Sequence, residues 1–248
     1  MGSKIYKYIP LKYLILLLES KQLLFKKVSL WEDSYENLFL KQTFVNKNGD
    51  VVRKELIDLC FSGLYGQCWT DKKSSDAMWR IYSQLPQETS CVWDLGNTAI
   101  RIETDSEKLT KEIHNKLDGC GVELDGVRYK TEYEIKEWLN TLPTITRQNM
   151  TEFILESLFI KRIDFQHESE VRIIIHQPSE MDIGKSCILI PINPIEMINE
   201  FVLDPRLKDC QSEMIMIELT KYGVDNHKIR KSRLYDIYKT TLVVDAQS

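Results

Sequence analysis

Between Phe165 and Ile175 the chain reads Phe-Gln-His-Glu-Ser-Glu-Val-Arg-Ile-Ile-Ile, with Glu168, Glu170 and Arg172 at every second position and β-branched residues among and after them. Side chains alternate faces along an extended strand. The spacing therefore predicts a β-strand with Glu168, Glu170 and Arg172 on one face and Val171, Ile173 and Ile175 packed against a core on the other. Neighbouring carboxylates disfavour each other's charge and an adjacent guanidinium restores it, which suits this face to grip a hydroxyl or to oppose positive charge. A solvated strand face with an ordinary ion pair accounts for the same residues equally well.

The rest of the chain supports a large core around such a strand. Its 248 residues suffice for one large α+β domain or two small ones, and no Pro/Gly/Ser-rich linker divides them, so one domain over 1–248 is expected. The net charge of -4 argues against a general polyanion binder, whose affinity comes from neutralising phosphates. The basic run from His227 to Arg233 alternates and fits a solvated edge strand better than a nucleic-acid patch. Six cysteines (Cys60, Cys68, Cys91, Cys120, Cys187, Cys210) lie far apart with no pair at metal-knuckle or redox spacing, so reduced thiols are expected. His167-Glu168 opens like a helical zinc-protease motif, but position 171 is Val where a second His is needed. The apolar run Tyr13 to Leu18 is too short to span a bilayer, and Glu19 and Lys21 close it. No membrane association and a cytoplasmic location are expected. Gly2 is not a myristoylation site, because Tyr6 stands where Ser or Thr is wanted.

Alternation over Lys4 to Ile9 predicts a strand that Pro10 ends, followed by a helix over Leu11 to Ser20 and an extended segment from Leu23. Asp33 and Glu36 have capping-box spacing. The cluster Asn46 to Asp50 predicts a hairpin turn, and Leu56 to Phe61 a buried strand that releases Ser62. Ser74 or Ser75 caps a helix with Met78, Trp79 and Tyr82 on one face. A strand over Val92 to Thr104 precedes a helix over Ser106 to Leu117. Asp125-Gly126 predicts a hairpin within Val122 to Lys130. Helices over Thr131 to Leu142 and Asn149 to Phe159 are separated by Pro143. Strands at Phe159 to Phe165, Glu170 to His176 and Cys187 to Ile192, a helix near Arg206 to Tyr222 and a strand around Ile229 to Ser232 complete the pattern.

The ordered set Tyr6-Lys7-Tyr8, Trp31 to Glu36, Cys60-Phe61-Ser62, Met78 to Tyr82, Ala99-Ile100-Arg101 and Phe165 to Arg172 resembles the bacterial and phage family known as domain of unknown function 2971. The likeness extends to Ile190 to Pro194, Val202 to Pro205 and Ser232 to Leu234. The family often has Asn-Asp-Pro-Phe-Glu where this chain has Glu32 to Glu36, and Trp where it has Phe165. The segment order is similar in turn to that of ADP-ribosyltransferases. That resemblance implies an ADP-ribosyltransferase-like α+β fold of small mixed sheets with flanking helices, NAD as substrate, and a protein or nucleic-acid acceptor. It assigns Glu170 to the nicotinamide-ribose hydroxyl and the oxocarbenium-like transition state, and Glu168 to the accepting nucleophile. Tyr6, Ser62 and Tyr82 are assigned to the nicotinamide pocket, and Arg101 to the pyrophosphate or to the glutamates. Arg172 is expected to be structural. Many relatives stand in phage-host conflict, which associates the chain with a defence or toxin role. NAD hydrolysis without an acceptor, and a non-catalytic binding or sensing module, are the alternatives. No glycine-rich phosphate loop accompanies the set, so neither a dinucleotide-binding Rossmann domain nor a P-loop is indicated.

Overall fold

The computed structural model describes residues 2–33, 35–36, 38–52, 62–86, 91–117, 119–146, 149–176 and 185–241. Strand β1 (Lys4–Pro10) ends where Pro10, with φ of -55° and no N–H, cannot continue the ladder, and helix α1 (Leu11–Ser20) starts at the next residue. Leu11, Leu14, Ile15, Leu17 and Leu18 face inward from α1. Lys21 then stops the helix in the left-handed region (φ 53°), its N–H returning to the Leu17 carbonyl at 3.0 Å.

The remaining strands are β2 (Gln22–Lys27), β3 (Leu64–Thr70), β4 (Ala99–Asp105), β5 (Gly121–Gly126), β6 (Arg128–Lys130), β7 (Ile160–Arg162), β8 (Glu170–His176), β9 (Cys187–Pro191), β10 (Glu200–Leu203) and β11 (Ile229–Lys231). Helices α2 (Asp76–Tyr82), α3 (Ser106–His114), α4 (Glu132–Thr141), α5 (Met150–Leu158), α6 (Pro194–Met197) and α7 (Asp209–Lys221) lie between them. The caps are local and legible. Ser75 accepts from the Met78 N–H, Asp105 from Lys108, and Thr131 exchanges with Glu134 in a capping box. The chain is thus α+β with mixed pairing, but its strands form one nine-stranded sheet and a separate two-stranded pair (β6 with β7) rather than two small sheets.

One edge of β3 pairs along its whole length with β8, from Leu64 opposite His176 to Thr70 opposite Glu170. The other edge is shared. Tyr65 and Gly66 pair with Lys27 and Lys26 of β2, and Thr70 pairs with Tyr6 of β1. Among the described residues no strand takes Gln67, Cys68 or Trp69 on that edge, so β1 and β2 diverge there and the sheet splits. β4, β10 and β11 extend the β1 side, while β9 extends β2 and β5 extends β8.

A large core includes Ile5, Leu14, Phe25, Tyr65, Ile102, Ile173, Ile175 and Phe201. A second cluster joins Leu64 and Ile174 to Ile154 and Leu158 of α5. β8 is therefore covered on both faces. Its Val171, Ile173 and Ile175 face the large core as the alternation predicts, but the opposite face, with Arg172 wholly buried, does not meet solvent.

Several expectations are corrected. The strand does not reach back to Phe165: Ile163–Glu168 is a 3-10 helix, and Ser169 in the left-handed region (φ 42°) turns the chain into β8. An extended chain would carry Glu168 about 7 Å along from Glu170. The turn instead folds its carboxylate onto Lys161. Asp125-Gly126 makes no hairpin, because β5 gives its edge to β8, Val127 N–H bonds the Glu170 carbonyl, and β6 pairs in parallel with β7. Among the described residues Asp33 and Glu36 form no capping box; the Asp33 carboxylate accepts from the Tyr35 N–H in a turn. Val92–Leu95 is a 3-10 segment, with the strand starting only at Ala99. The Asn46–Asp50 turn is present, held by one bridge between Val45 and Val51. The strand expected over Leu56 to Phe61 lies outside the described residues.

Candidate active site at the split of the sheet

Glu170 is the first residue of β8. Its N–H donates to the Tyr129 hydroxyl at 2.7 Å, so the strand start is held from both main chain and side chain. Cross-strand register places Glu170, Thr70 and Tyr6 in one row over three adjacent strands. A small cavity of about 90 Å³ lies against this row, lined by Tyr6, Lys7, Tyr8, Thr70, Tyr82, Glu168 and Glu170 among others.

The Glu170 carboxylate is buried and heavily bonded. Arg172 donates Nε at 3.2 Å and Nη2 at 2.7 Å to Oε2, and the Lys161 ammonium lies 3.4 Å from the same oxygen. The Cys68 thiol lies beside this carboxylate and also favours its charged form. Burial alone would raise the Glu170 pKa, but Arg172 and Lys161 outweigh it and hold the group below its ordinary value. Cys68 is pushed the other way, since burial and the adjacent Glu170 charge keep it a neutral S–H donor.

Arg172 is committed on every side. Its Nη1 reaches the Leu158 carbonyl at 2.5 Å, its Nη2 reaches Glu36 at 2.6 Å, and Trp31 covers the guanidinium at 4.8 Å. Lys161 contacts three carboxylates: Glu168 at 2.7 Å, Glu36 at 3.3 Å and Glu170 at 3.4 Å. Burial opposes its charge and these neighbours restore it, so the ammonium is held above its ordinary pKa. Glu36 differs from Glu170. Burial is its largest influence, and despite Arg172 and Lys161 its pKa stays raised.

The aromatic side of the cavity comes from β1 and α2. Tyr82 stacks on Tyr8 with centroids 6.4 Å apart, and Trp79 meets Tyr8 edge-on at 4.7 Å, so both residues expected on one helical face do point to the same strand. Burial, with Glu168 and Cys68 nearby, pushes the Tyr82 phenol up to about 12, so it stays a neutral hydroxyl.

Four of the six residues chosen from sequence meet here: Glu170, Glu168, Tyr6 and Tyr82. Two do not. Ser62 is buried ahead of β3, away from the lining. Arg101 is spent internally, donating to the Lys73 carbonyl and to Glu200 at 2.7 Å while its guanidinium covers the Tyr6 ring at 4.9 Å. It positions Tyr6 from behind. The reason is that β4 is buried on both faces, so a polar residue there finds protein partners and no cleft.

The residues missed are Lys161, Glu36, Cys68 and Lys7. Lys7 lies where β1 leaves β3, and its ammonium donates to the Cys68 carbonyl at 2.7 Å, one of the acceptors the split leaves without a strand. Burial lowers its pKa. Beyond it the gap between β1 and β2 opens into a second cavity of about 630 Å³, largely apolar, whose lining shares Lys7, Tyr8, Cys68 and Tyr82 with the first. That volume is in the range of small-molecule sites. Among the described residues no group of His, Cys, Asp or Glu is arranged to hold a metal, no cysteines are joined by a disulfide, and no helix is long and apolar enough to cross a membrane.

No family model matches the chain, and no curated protein matches it. Among solved structures, Thermus sp. 2.9 DarT in complex with NAD+ aligns with a TM-score of 0.41 at 10% identity, over 94% of this chain and 96% of that one. DarT in complex with ADP-ribosylated ssDNA aligns at 0.38 and 11% identity, over 90% of each chain. Overlaps of this extent say nothing of chemistry, which rests on the site itself.

Proposed function

We propose that the chain is an NAD-dependent ADP-ribosyltransferase of ADP-ribosyltransferase-like α+β fold, related to the domain of unknown function 2971 family, with Glu170 as its central carboxylate. The observation that carries this reading is a buried glutamate kept ionised by Arg172 and Lys161 in a small cavity that shares lining residues with the larger one at the split in the sheet. A fixed negative charge in a low-dielectric pocket has most value where positive charge appears only in the transition state, as on a ribose losing a neutral base. Tyr6 and Tyr82 offer hydroxyls and ring faces for the nicotinamide end. The two cavities share four lining residues, and Lys7 is the one cation among them, so a ligand extending from one to the other passes its diphosphate beside that ammonium.

In the transfer the bond between ribose C1′ and the nicotinamide nitrogen breaks, its electron pair leaving with neutral nicotinamide. An acceptor O–H or N–H attacks C1′, and the proton it loses passes to Glu168 and then to solvent. When water is the acceptor the product is free ADP-ribose. Incubating the purified protein with NAD labelled in the adenosine half, with and without cell lysate, tests the proposal. Label on protein or nucleic acid supports transfer, free ADP-ribose supports hydrolysis, and NAD left intact in every lysate overturns the enzymatic reading in favour of a binding module.

A further inference from the structure

We infer that Lys161 is a positioning residue that fixes the Glu168 carboxylate for the acceptor, and so sets how ADP-ribose divides between a macromolecule and water; this rests on the NAD reading of the Glu170 cavity. Lys161 sits on β7, outside the nine-stranded sheet, and its ammonium reaches into the site from behind Glu168. The contacts are unequal in what they leave behind. Glu170 keeps two hydrogen bonds from Arg172 without Lys161, and Glu36 keeps one. Among the described residues Glu168 has Lys161 as its one charged partner, at 2.7 Å.

The main chain at Glu168 is held separately. Thr70 Oγ1 donates to its carbonyl at 2.6 Å, and the adjacent Ser169 carbonyl accepts from the Asp71 N–H at 3.1 Å. Loss of the ammonium therefore frees the Glu168 side chain while leaving its backbone and the Glu170 carboxylate in place. The Glu168 carboxylate borders the cavity with its side chain 15% exposed, where an incoming O–H or N–H can meet it. Transfer to a macromolecule needs that carboxylate aimed at one attacking atom, to accept its proton as the bond to C1′ forms. Attack by water releases its proton to solvent and depends on the aim far less. A purely structural lysine would lower both outcomes together.

The test compares wild type, Lys161→Met, Lys161→Arg, Glu168→Gln and the Met/Gln double variant, each given labelled NAD with the protein fraction and the nucleic-acid fraction of a cell lysate. The readout is the ratio of macromolecule-bound to free ADP-ribose. Lys161→Met should lower the ratio by about tenfold or more, Lys161→Arg should restore most of it, and the double variant should fall no further than Glu168→Gln alone. Should Lys161→Met not fold, Lys161→Gln, which keeps a donor and loses the charge, is read in the same way. A ratio unchanged by loss of the charge, or a further fall in the double variant, overturns the inference and leaves the NAD reading standing. Wild type that only hydrolyses NAD also overturns it, whereas wild type that consumes none overturns the NAD reading itself.

Discussion

Arg172 donates both Nε and Nη2 to a single oxygen of Glu170, two residues earlier on the same strand. The pair shares a face of β8, so strand geometry alone brings guanidinium and carboxylate together. Gln at position 170 retains an oxygen for Arg172 and loses the charge. Glu170→Gln should therefore fold and bind NAD with little loss, while NAD turnover falls on the order of a hundredfold or more. Full activity in that variant, measured as nicotinamide release, would remove Glu170 from the mechanism.

Removing the other member of the pair should be costly to the fold. Arg172→Met leaves Glu170 and Glu36 buried with Lys161 as their remaining cation, and uncompensated buried charge costs about 3–5 kcal/mol. Urea denaturation should show a loss of that order. A loss below about 1 kcal/mol would mean that solvent or Lys161 compensates fully.

Lys7→Met tests the passage between the cavities. Hydrogen bonds to a charged group contribute about 1.5–3 kcal/mol, so NAD affinity should weaken roughly ten- to hundredfold. Nicotinamide alone should bind as before. Calorimetry with both ligands checks this, and an equal loss for the two would assign Lys7 to holding the fold.

Glu36 gives a pH dependence of opposite sign to that of Glu170. Its folded pKa lies above the ordinary 4.5, so the folded chain binds the extra proton, and the stability Glu36 contributes falls as pH rises from 4.5 through its folded value. Glu170, with a depressed pKa, contributes stability that is present above 4.5 and lost as pH falls through its folded value. In urea melts followed upward from pH 4, Glu36→Gln should gain on wild type as pH rises past 4.5, by no more than about 1.4 kcal/mol per pH unit. A constant difference across that range would contradict the assignment.

Gly66 is required by close approach. A Cβ there would collide with the Trp31 ring and with Ile174, and Trp31 is the cover over Arg172. Gly66→Ala should destabilise by about 1–3 kcal/mol in thermal or urea melts. Unchanged stability would show that Trp31 moves aside freely.

What was legible in the sequence was local. Pro10 and the alternation before it mark the β1–α1 junction, the Ser74-Ser75 pair marks the start of α2, and the alternation of Glu170 and Arg172 with Val171, Ile173 and Ile175 marks β8. Glu170 was singled out by the alternation itself, whereas Tyr6 and Tyr82 entered through the family resemblance. Glu36 and Lys161 were not, since their meeting with Glu170 is made by tertiary packing across segments far apart in the chain. Lys7 read as an ordinary member of an alternating strand, and only the departure of β1 from β3 gives its ammonium a task. Ser169 hid the turn before β8, because a serine in the left-handed region looks in sequence like any other polar residue of an alternating run.

Tyr6 and Thr70 form the single register pair between β1 and β3, so one pair joins the β1 ladder to the β3 ladder. A change in the width of the gap would leave the β1–β4 and β3–β8 ladders intact. A ligand lodged in the gap therefore acts as a splint. Amide hydrogen exchange should slow on binding at residues 7–9 and 67–69, while the strand interiors of β4 and β8 keep their protection unchanged.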